Sequence, residues 1–242
     1  MKLSGATAII TGSSGYLGSA IAAALAQAGC NCVCHYNRNK QKAEEVVEQI
    51  RKMNGKAIAV RADLTRQGDI KDLFENATEF GIPQILINSA AVFSRQALQN
   101  VTFEEAQEII NLNLIAPVLV SKEFAAVLAR KGGAGKIINI SDVGGIRPWA
   151  EYVIYCSSKA GLIGATKALA KELAPSICVN SIAPGIVSRP KDFSELEKER
   201  QLSYVPVRRT AELNEITEAI IFLLENDYIT GQVLNVDGGR CI

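Results

Sequence analysis

The start of the chain combines a short apolar run, a turn rich in glycine and serine, and an alanine-rich helix. Residues 6–11 are the apolar run, Gly12 and Ser14 lie in the turn, and the helix is predicted over residues 19–28. A strand that leads through such a turn into a helix forms an anion site, because glycine allows close backbone approach and first-turn N–H groups point toward a phosphate. Its place as the first strand–helix unit of the chain strengthens this signal.

The rest of the chain alternates short apolar segments with amphipathic ones. Further strands are predicted at residues 31–36, 56–61, 85–87, 136–140, 177–181 and 232–236, and helices at 42–53, 69–80, 102–130, 162–173 and 212–224. This alternation predicts an α/β fold: a Rossmann-type, doubly wound, seven-stranded parallel sheet in a single domain over residues 1–242, with ligands at the strands' carboxyl ends. Pro117 is expected to kink the long helix near Asn113. A polar, charge-rich stretch at about 188–210 predicts a mobile substrate lid.

Composition points to a small-molecule enzyme. A net charge of +1 gives no support to a nucleic-acid or anionic-membrane partner. No uninterrupted apolar run reaches the roughly 18 residues that span a bilayer, and the N-terminus shows no signal peptide, so we expect a cytoplasmic location. Cys30, Cys32 and Cys34 alternate beside His35 on one face of a strand, which favours buried reduced thiols over a metal site. We predict no metal.

The end of the second strand indicates the cofactor. An acidic residue there would bind the adenosine ribose of NAD, but this chain has Arg38 and Asn39. An arginine can pair with a 2′-phosphate, which a carboxylate would repel, so NADPH is preferred over NADH. The alternative for Arg38 is a solvated residue at a helix start. Asp63, after the third strand, is positioned to bind an adenine amino group.

Tyr155 and Lys159 stand four residues apart in a segment that leads into a predicted helix. On a helix they share one face, where the ammonium group favours the phenolate and lowers the tyrosine pKa from about 10 toward neutrality. Such a tyrosine can act as a general acid. The spacing also occurs by chance on amphipathic helices.

These features occur together in the short-chain dehydrogenase/reductase family, which the chain resembles over essentially its full length. The residues that carry the resemblance are Thr11, Gly12, Gly18, Asp63, Asn88, Ser89, Ala90, Asn113, Tyr155, Lys159, Asn180, Pro184, Gly185, Asp237, Gly238 and Gly239. The resemblance implies that Tyr155 protonates the substrate, that Lys159 lowers its pKa and holds the nicotinamide ribose, and that Asn113 anchors a water relay. It also implies a homotetramer, with the helices around Asn113 and Tyr155 at one interface. Predicted NADP(H) contacts are Gly12, Ser14, Tyr16, Leu17, Arg38, Asn39, Asp63, Leu64, Asn88, Ser89, Ala90, Ser141, Tyr155, Lys159, Pro184, Gly185 and Ile186.

One departure from the family concerns the substrate. Most members have a serine thirteen residues before the tyrosine, where it hydrogen-bonds the substrate carbonyl, but here that residue is Asp142. An ionised carboxylate beside a developing oxyanion opposes ketone reduction, whereas it suits a substrate with basic or donor-rich nitrogen. The alternative is that the adjacent Ser141 takes over the serine's role after a local shift of the loop.

The pteridine reductases, a branch of this family, share several of these departures. They have the aspartate, an aromatic residue at the place of Phe93 that stacks on the pterin, and a segment similar to residues 35–38. Like this chain, they lack the middle glycine of the turn, but the residue here is Tyr16 rather than a basic one. An aromatic contact suits a flat heterocycle, although Phe93 could instead belong to the core.

The sequence therefore predicts an NADPH-dependent reductase that transfers hydride to the C=N bond of a dihydropterin or dihydrofolate. Tyr155, Lys159, Asp142 and Asn113 are the predicted catalytic residues, and Phe93, Asp142 and Tyr155 are predicted to contact substrate. The nearest alternative is a carbonyl reductase of the 3-oxoacyl or small-ketone type. The third alternative is a dinucleotide-binding protein without turnover, which would not need a tyrosine with a lowered pKa.

Overall fold

Seven strands lie side by side in one parallel sheet in the computed structural model, which describes residues 1–187 and 195–242. They are β1 (Thr7–Ile10), β2 (Asn31–Tyr36), β3 (Ala57–Arg61), β4 (Pro83–Asn88), β5 (Gly135–Ile140), β6 (Ile177–Pro184) and β7 (Val233–Val236). Their order across the sheet is β3-β2-β1-β4-β5-β6-β7, and all pairs are parallel. The chain thus reverses its direction of travel across the sheet between β1 and β4, where a doubly wound sheet opens a crevice. The predicted fold is confirmed.

Helices cover both faces of the sheet. They are α1 (Tyr16–Gln27), α2 (Lys40–Lys52), α3 (Gln67–Phe80), α4 (Phe103–Ile110), α5 (Ala116–Lys131), α6 (Val153–Leu173), α7 (Glu195–Leu202) and α8 (Leu213–Glu225). Side chains of α1, α2 and α8 build the core on one face, and those of α3, α5 and α6 build the core on the other. Alternate residues of each strand serve opposite cores, so Ile10 packs on the first side and Ile9 on the second.

The three alternating cysteines of the second strand region are buried in the first core. Burial raises the pKa of the Cys30 thiol to about 11 and that of Cys34 to about 12, so both remain protonated near neutral pH. Cys32 lies between them, and burial raises its pKa as well. Within residues 1–187 and 195–242, no group of three or more histidine, cysteine or acidic side chains is placed to hold a metal ion.

Four helices, α1, α2, α3 and α6, begin earlier than the sequence indicates, and the shifts of α1 and α6 affect the ligand-binding edge. Helix α1 begins at Tyr16 rather than at residue 19, because the amide of Ser19 already donates to the carbonyl of Gly15. Helix α6 begins at Val153 rather than at residue 162, so Tyr155 and Lys159 lie in its first two turns.

The long predicted helix is continuous, and it contains an irregular turn near Asn113. Thr102 caps α4 with a capping box to Glu105. A π-helical turn, Asn111–Ile115, then joins α4 to α5. Pro117 is the second residue of α5, and because it has no N–H, the preceding turn lacks one backbone hydrogen bond. The irregular turn thus precedes the proline and contains Asn113.

One helical stretch, Phe103–Lys131, is long and apolar enough to cross a membrane, with a mean hydropathy of 1.6 over its most apolar window. In that window 44% of the residues are buried inside the molecule, and Val120 and Phe124 pack in the second core. A buried core helix passes the same test, so the finding is weak evidence for a membrane span. Of the predicted lid, residues 188–194 lie outside the described residues, and α7 follows directly after them.

Candidate active site

The predicted site residues follow strands whose carboxyl ends meet at one edge of the sheet. Because every strand is parallel, this single edge collects the turns after β1, β3, β4, β5 and β6. Those turns carry Gly12, Ser14, Asp63, Ser89, Ala90, Asp142, Gly185 and Ile186. Helix α6 brings Tyr155 and Lys159 to the same edge, beside the turn after β5.

The turn after β1 is tied closely to the turn after β4. Gly12 has a φ of 68°, and a Cβ at this position would lie 2.8 Å from the Cα of Ala90, so no larger residue fits. The hydroxyl oxygen of Thr11 accepts hydrogen bonds from the amides of Ser89 (2.9 Å) and Ala90 (3.1 Å). These contacts fix the two turns that flank the crevice.

The N-terminus of α1 meets the requirements of a pyrophosphate site. Gly15 is the N-cap and no side chain caps this end, so the N–H groups of Leu17 and Gly18 in the first turn have no intrahelical acceptor. A Cβ on Gly18 would collide with the carbonyl oxygen of Gly12. A helix N-terminus packed so closely against a glycine turn fits the phosphates of a dinucleotide.

His35 holds this turn in place by hydrogen bonds, a role that its position in the sequence does not indicate. Its Nδ1 accepts the Gly12 amide at 3.0 Å, and its Nε2 donates to the carbonyl of Ala62 at 3.0 Å. The amide and hydroxyl of Ser13 both donate to the His35 carbonyl. Burial lowers the pKa of His35 to about 4, so the ring is neutral and can play both roles.

Arg38, Asn39 and Asp63 lie together beyond the ends of β2 and β3, where the adenosine end of a dinucleotide is expected. Arg38 is exposed, and Asn39 caps α2 by accepting the Lys42 amide at 3.0 Å. Hydrogen bonds from Thr65 hold the pKa of Asp63 below its usual value, with smaller contributions from Arg66 and Arg38. Arg38 is therefore a solvent-exposed cation beside Asp63.

Tyr155, Asp142 and Lys159 form a buried polar group at the start of α6. The hydroxyl of Tyr155 donates to Oδ2 of Asp142 at 2.9 Å, and the amide of Gly144 donates to Oδ1 at 2.7 Å. Lys159 Nζ donates to the carbonyl of Ile140 at 2.8 Å and lies 5.9 Å from the centre of the Tyr155 ring.

Burial dominates the electrostatics of this group. It raises the pKa of Asp142, although hydrogen bonds from Gly144 and Tyr155 and the charges of Lys159 and Arg240 oppose the change. It also lowers the pKa of Lys159 to about 8, while the nearby Asp142 carboxylate acts in the opposite direction. Lys159 therefore loses its proton more readily than a free lysine, and Asp142 takes one up more readily than a free aspartate.

Ser141, the alternative to Asp142, faces away from the site. Its hydroxyl donates to the carbonyl of Ile182 at 2.9 Å and lies 2.7 Å from the hydroxyl of Ser181. Its amide also donates to the Ile182 carbonyl. The side chain is thus held between β5 and β6, and a shift of the loop would have to break these bonds.

Asn88 and Leu64, both predicted cofactor contacts, have side chains that point into the protein. Asn88 donates to the side-chain oxygen of Asn139 at 2.8 Å and to the hydroxyl of Ser121 at 3.2 Å. Leu64 is packed in the second core. These residues can reach a cofactor only through their backbone.

Asn113 holds the loop that carries Phe93. Its Oδ1 accepts the amide of Val92 at 2.8 Å, and its Nδ2 donates to the carbonyl of Val92 at 2.9 Å and to the hydroxyl of Ser158 at 3.2 Å. The π-helical turn places this buried side chain between the loop after β4 and α6. The water relay remains a prediction, and these direct contacts make Asn113 a positioning residue.

Four aromatic rings form what we call the aromatic wall: Phe93, Trp149, Tyr152 and Tyr155. Phe93 stacks on Tyr152 with ring centres 5.1 Å apart and meets Tyr155 edge-on at 4.8 Å. Trp149 extends the wall, with its ring centre 5.5 Å from that of Tyr152. Phe93 is 60% exposed, which excludes the interpretation that it is a core residue. The sequence did not identify Tyr152 or Trp149 as site residues, although Tyr152 stands three residues before Tyr155.

Known proteins resemble this chain over almost its whole length. A family model described as enoyl-(acyl carrier protein) reductase matches residues 13–240. A 3-oxoacyl-[acyl-carrier-protein] reductase of Synechocystis sp. is 35% identical over 243 residues, which cover 98% of this chain and 97% of that protein.

Solved structures match over almost the whole chain. FolM alternative dihydrofolate reductase 1 from Brucella canis, in complex with NADP, has a TM-score of 0.91 and 30% identity over 99% of this chain and 95% of that one. The promiscuous reductase LugOII, which catalyses keto-reduction at C1 during lugdunomycin biosynthesis, has a TM-score of 0.91 and 32% identity over 100% of both chains. Family model, relative and structures together show that this chain belongs to the short-chain dehydrogenase/reductase family of NAD(P)-dependent oxidoreductases.

Proposed function

We propose that the protein is an NADPH-dependent reductase of a pteridine C=N bond, with a dihydropterin or dihydrofolate as substrate. The observation that carries this proposal is the hydrogen bond from Tyr155 to the Asp142 carboxylate beside the aromatic wall. A carboxylate in this position accepts hydrogen bonds from ring N–H groups, whereas it disfavours the oxyanion of a ketone reduction. The exposed face of Phe93 suits a flat heterocycle.

The residues have complementary roles in this reaction. Bound NADPH supplies a hydride to the carbon of the C=N bond. Tyr155 delivers the proton that the ring nitrogen takes up, and Asp142 shares that proton through their hydrogen bond. The Lys159 ammonium stabilises the tyrosinate that remains. Phe93 and Tyr152 hold the ring against rotation, and Asn113 fixes the loop that positions Phe93.

The cofactor assignment rests on the ends of the first three strands. The glycine turn and the N-terminus of α1 would hold the pyrophosphate. Arg38 is exposed at the end of β2 and would pair with the 2′-phosphate of NADPH, which NADH lacks. The FolM structure, which is 30% identical, is a complex with NADP. These observations support NADP(H) as the cofactor.

A carbonyl reductase is the second candidate. It is favoured by the Synechocystis relative, a 3-oxoacyl-[acyl-carrier-protein] reductase at 35% identity, and by the keto-reduction that LugOII catalyses. The same tyrosine and lysine would serve that reaction, since a ketone also needs a proton as hydride arrives. Asp142 distinguishes the two candidate reactions, because it stands where most of the family has the serine that binds a substrate carbonyl.

The direct test compares substrates by NADPH oxidation at 340 nm. Dihydrobiopterin and dihydrofolate are expected to be reduced with a kcat/KM at least tenfold above that for an acetoacetyl thioester. A protein that reduces the thioester but neither pteridine would overturn the proposal in favour of the carbonyl reductase. A protein that binds NADPH and reduces none of the three would favour the interpretation as a dinucleotide-binding protein without turnover.

A homotetramer belongs to the same proposal. Large apolar side chains are exposed on the helices around Asn113 and Tyr155, among them Phe103 (75%), Ile115 (44%) and Val153 (44%). Burying such side chains between subunits is favourable. Sedimentation equilibrium should give four times the 26.0 kDa chain mass, and a monomer would contradict this assembly.

A further inference from the structure

Arg240, next to the last glycine after β7, reaches back to the aromatic wall. Its Nη2 donates to the side-chain oxygen of Gln201 at 3.0 Å, and its guanidinium carbon lies 5.4 Å from the centre of the Trp149 ring. Its Nη1 is fully buried, and among the described residues it has no hydrogen-bond partner. Such a group is unusual because a buried donor without an acceptor destabilises a fold.

The position of this donor relates it to the substrate site. A Cβ on Gly144 would lie 3.1 Å from Oδ1 of Asp142 and 3.2 Å from the outer edge of the Trp149 ring, so the carboxylate and the indole approach the same point. Arg240 lies on the Trp149 ring, which ends the aromatic wall, and its charge acts on Asp142, the hydrogen-bond partner of Tyr155. A ligand that contacts Asp142 and extends along the wall over Trp149 therefore approaches the guanidinium group.

The charges of Arg240 and Asp142 influence each other without a hydrogen bond from Nη1. Burial raises the pKa of Asp142, and the guanidinium group acts in the opposite direction. Burial lowers the pKa of Arg240, and the carboxylates of Asp142 and Asp237 act against that change, whereas the nearby Arg147 acts with it. Asp142 uses its two oxygens for Gly144 and Tyr155. Nη1 is thus left without an acceptor in the described part of the chain, although two carboxylates act on the charge of the group.

We propose that Arg240 binds an anionic oxygen group of the carboxylate class on the substrate, through Nη1, at the end of the aromatic wall. Guanidinium is suited to this ligand because its planar fork of N–H donors matches the two oxygens of a carboxylate. This inference deepens the proposed function and rests on it in naming the pteridine: a dihydropteridine with an acidic tail, such as dihydrofolate, is preferred over a neutral one.

Binding of the acidic group can be tested without turnover. The probe is p-aminobenzoyl-L-glutamate, titrated into the NADP⁺-loaded enzyme and followed by the fluorescence of Trp149, the chain's single tryptophan. We expect Arg240→Gln to weaken binding of the probe at least tenfold and Arg240→Lys to weaken it less. The dimethyl ester of the probe should bind weakly to the parent protein and to both variants. The control Arg130→Gln removes the same charge at the far end of α5 and should bind like the parent protein. Equal affinity of parent and Arg240→Gln would overturn the proposal.

Kinetics separate this inference from the proposed function. If both are correct, Arg240→Gln lowers the ratio of kcat/KM for dihydrofolate to that for dihydrobiopterin at least tenfold. Reduction of both pteridines with an unchanged ratio would leave the proposed function standing and overturn the role of Arg240. If no pteridine is reduced but the probe still binds through Arg240, the carboxylate site stands and the pteridine assignment fails.

Discussion

The hydroxyl of Tyr155 lies 2.9 Å from Oδ2 of Asp142 and donates a hydrogen bond to it. The two residues come from different elements, α6 and the turn after β5, and the amide of Gly144 holds the second carboxylate oxygen. A proton can therefore move between phenol and carboxylate without rearrangement of the backbone. This pairing differs from the tyrosine and serine of most family members, and it makes both side chains targets for mutation.

Removal of the Tyr155 hydroxyl should abolish turnover but not cofactor binding. Tyr155→Phe keeps the ring, which contacts Phe93, and deletes the group that gives the proton. We expect kcat to fall by roughly 10²–10⁴-fold, the usual contribution of general acid catalysis. The dissociation constant of NADPH, measured by fluorescence titration, should change less than threefold. Undiminished turnover would show that another group supplies the proton.

Asp142→Ser should shift the enzyme from C=N toward C=O reduction. The variant replaces a carboxylate with a hydroxyl that can donate to a developing oxyanion, an interaction worth roughly 10²–10³-fold in rate. We expect kcat/KM to fall for dihydrobiopterin and to rise for an acetoacetyl thioester. As a control, Ser141→Ala should leave the ratio of the two activities unchanged, because the Ser141 hydroxyl donates to Ile182. A change of that ratio in Ser141→Ala alone would reassign the substrate contact to Ser141.

The sheet and its ligand-binding edge could be predicted because their signals are local. Each strand is predicted by a short apolar segment between amphipathic ones. Gly12 marks a turn that only glycine can form beside Ala90. The direction of Ser141 depends on hydrogen bonding between β5 and β6, which no local pattern encodes.

Contacts between distant segments account for the rest of what the sequence did not reveal. Phe93 and Tyr152 are far apart in the chain and stack because Asn113 and the Arg95–Glu151 ion pair tie the loop after β4 to the start of α6. Arg240 contacts the Trp149 ring because the segment after β7 folds back onto the segment after β5. This contact also joins residues that are far apart in the chain. Motif spacing identifies the proton donor, whereas tertiary packing builds the pocket around it.

Arg38→Asp should reverse the preference between the two nicotinamide cofactors. The substitution removes a charge-assisted contact to the 2′-phosphate and adds a carboxylate that repels it, while the same carboxylate can accept the ribose hydroxyls of NADH. We expect kcat/KM for NADPH to fall roughly 10–100-fold and that for NADH to rise. Lys52→Asp, at the far end of α2, makes the same change of charge and should leave the preference intact. An unmoved preference in Arg38→Asp would exclude Arg38 from the phosphate site.

His35 should make the dinucleotide turn sensitive to acid. Its pKa is about 4 in the folded protein, against about 6.5 in an unfolded chain. Because the unfolded state binds the proton more readily, His35 stabilises the fold fully above pH 6.5, and this contribution is lost as the pH falls through 4. A full loss corresponds to roughly 3 kcal/mol in the free energy of unfolding.

The measurement for His35 is urea unfolding between pH 4 and 8, with His35→Gln as the comparison. Glutamine can accept from the Gly12 amide and donate to the Ala62 carbonyl, but it does not titrate. The parent protein should be more stable than the variant at pH 7, and the difference should shrink as the pH falls toward 4. NADPH affinity of the parent should weaken over the same range, because a protonated Nδ1 can no longer accept from Gly12. If the difference in free energy of unfolding between parent and variant is the same at every pH, the ring nitrogen does not hold the turn.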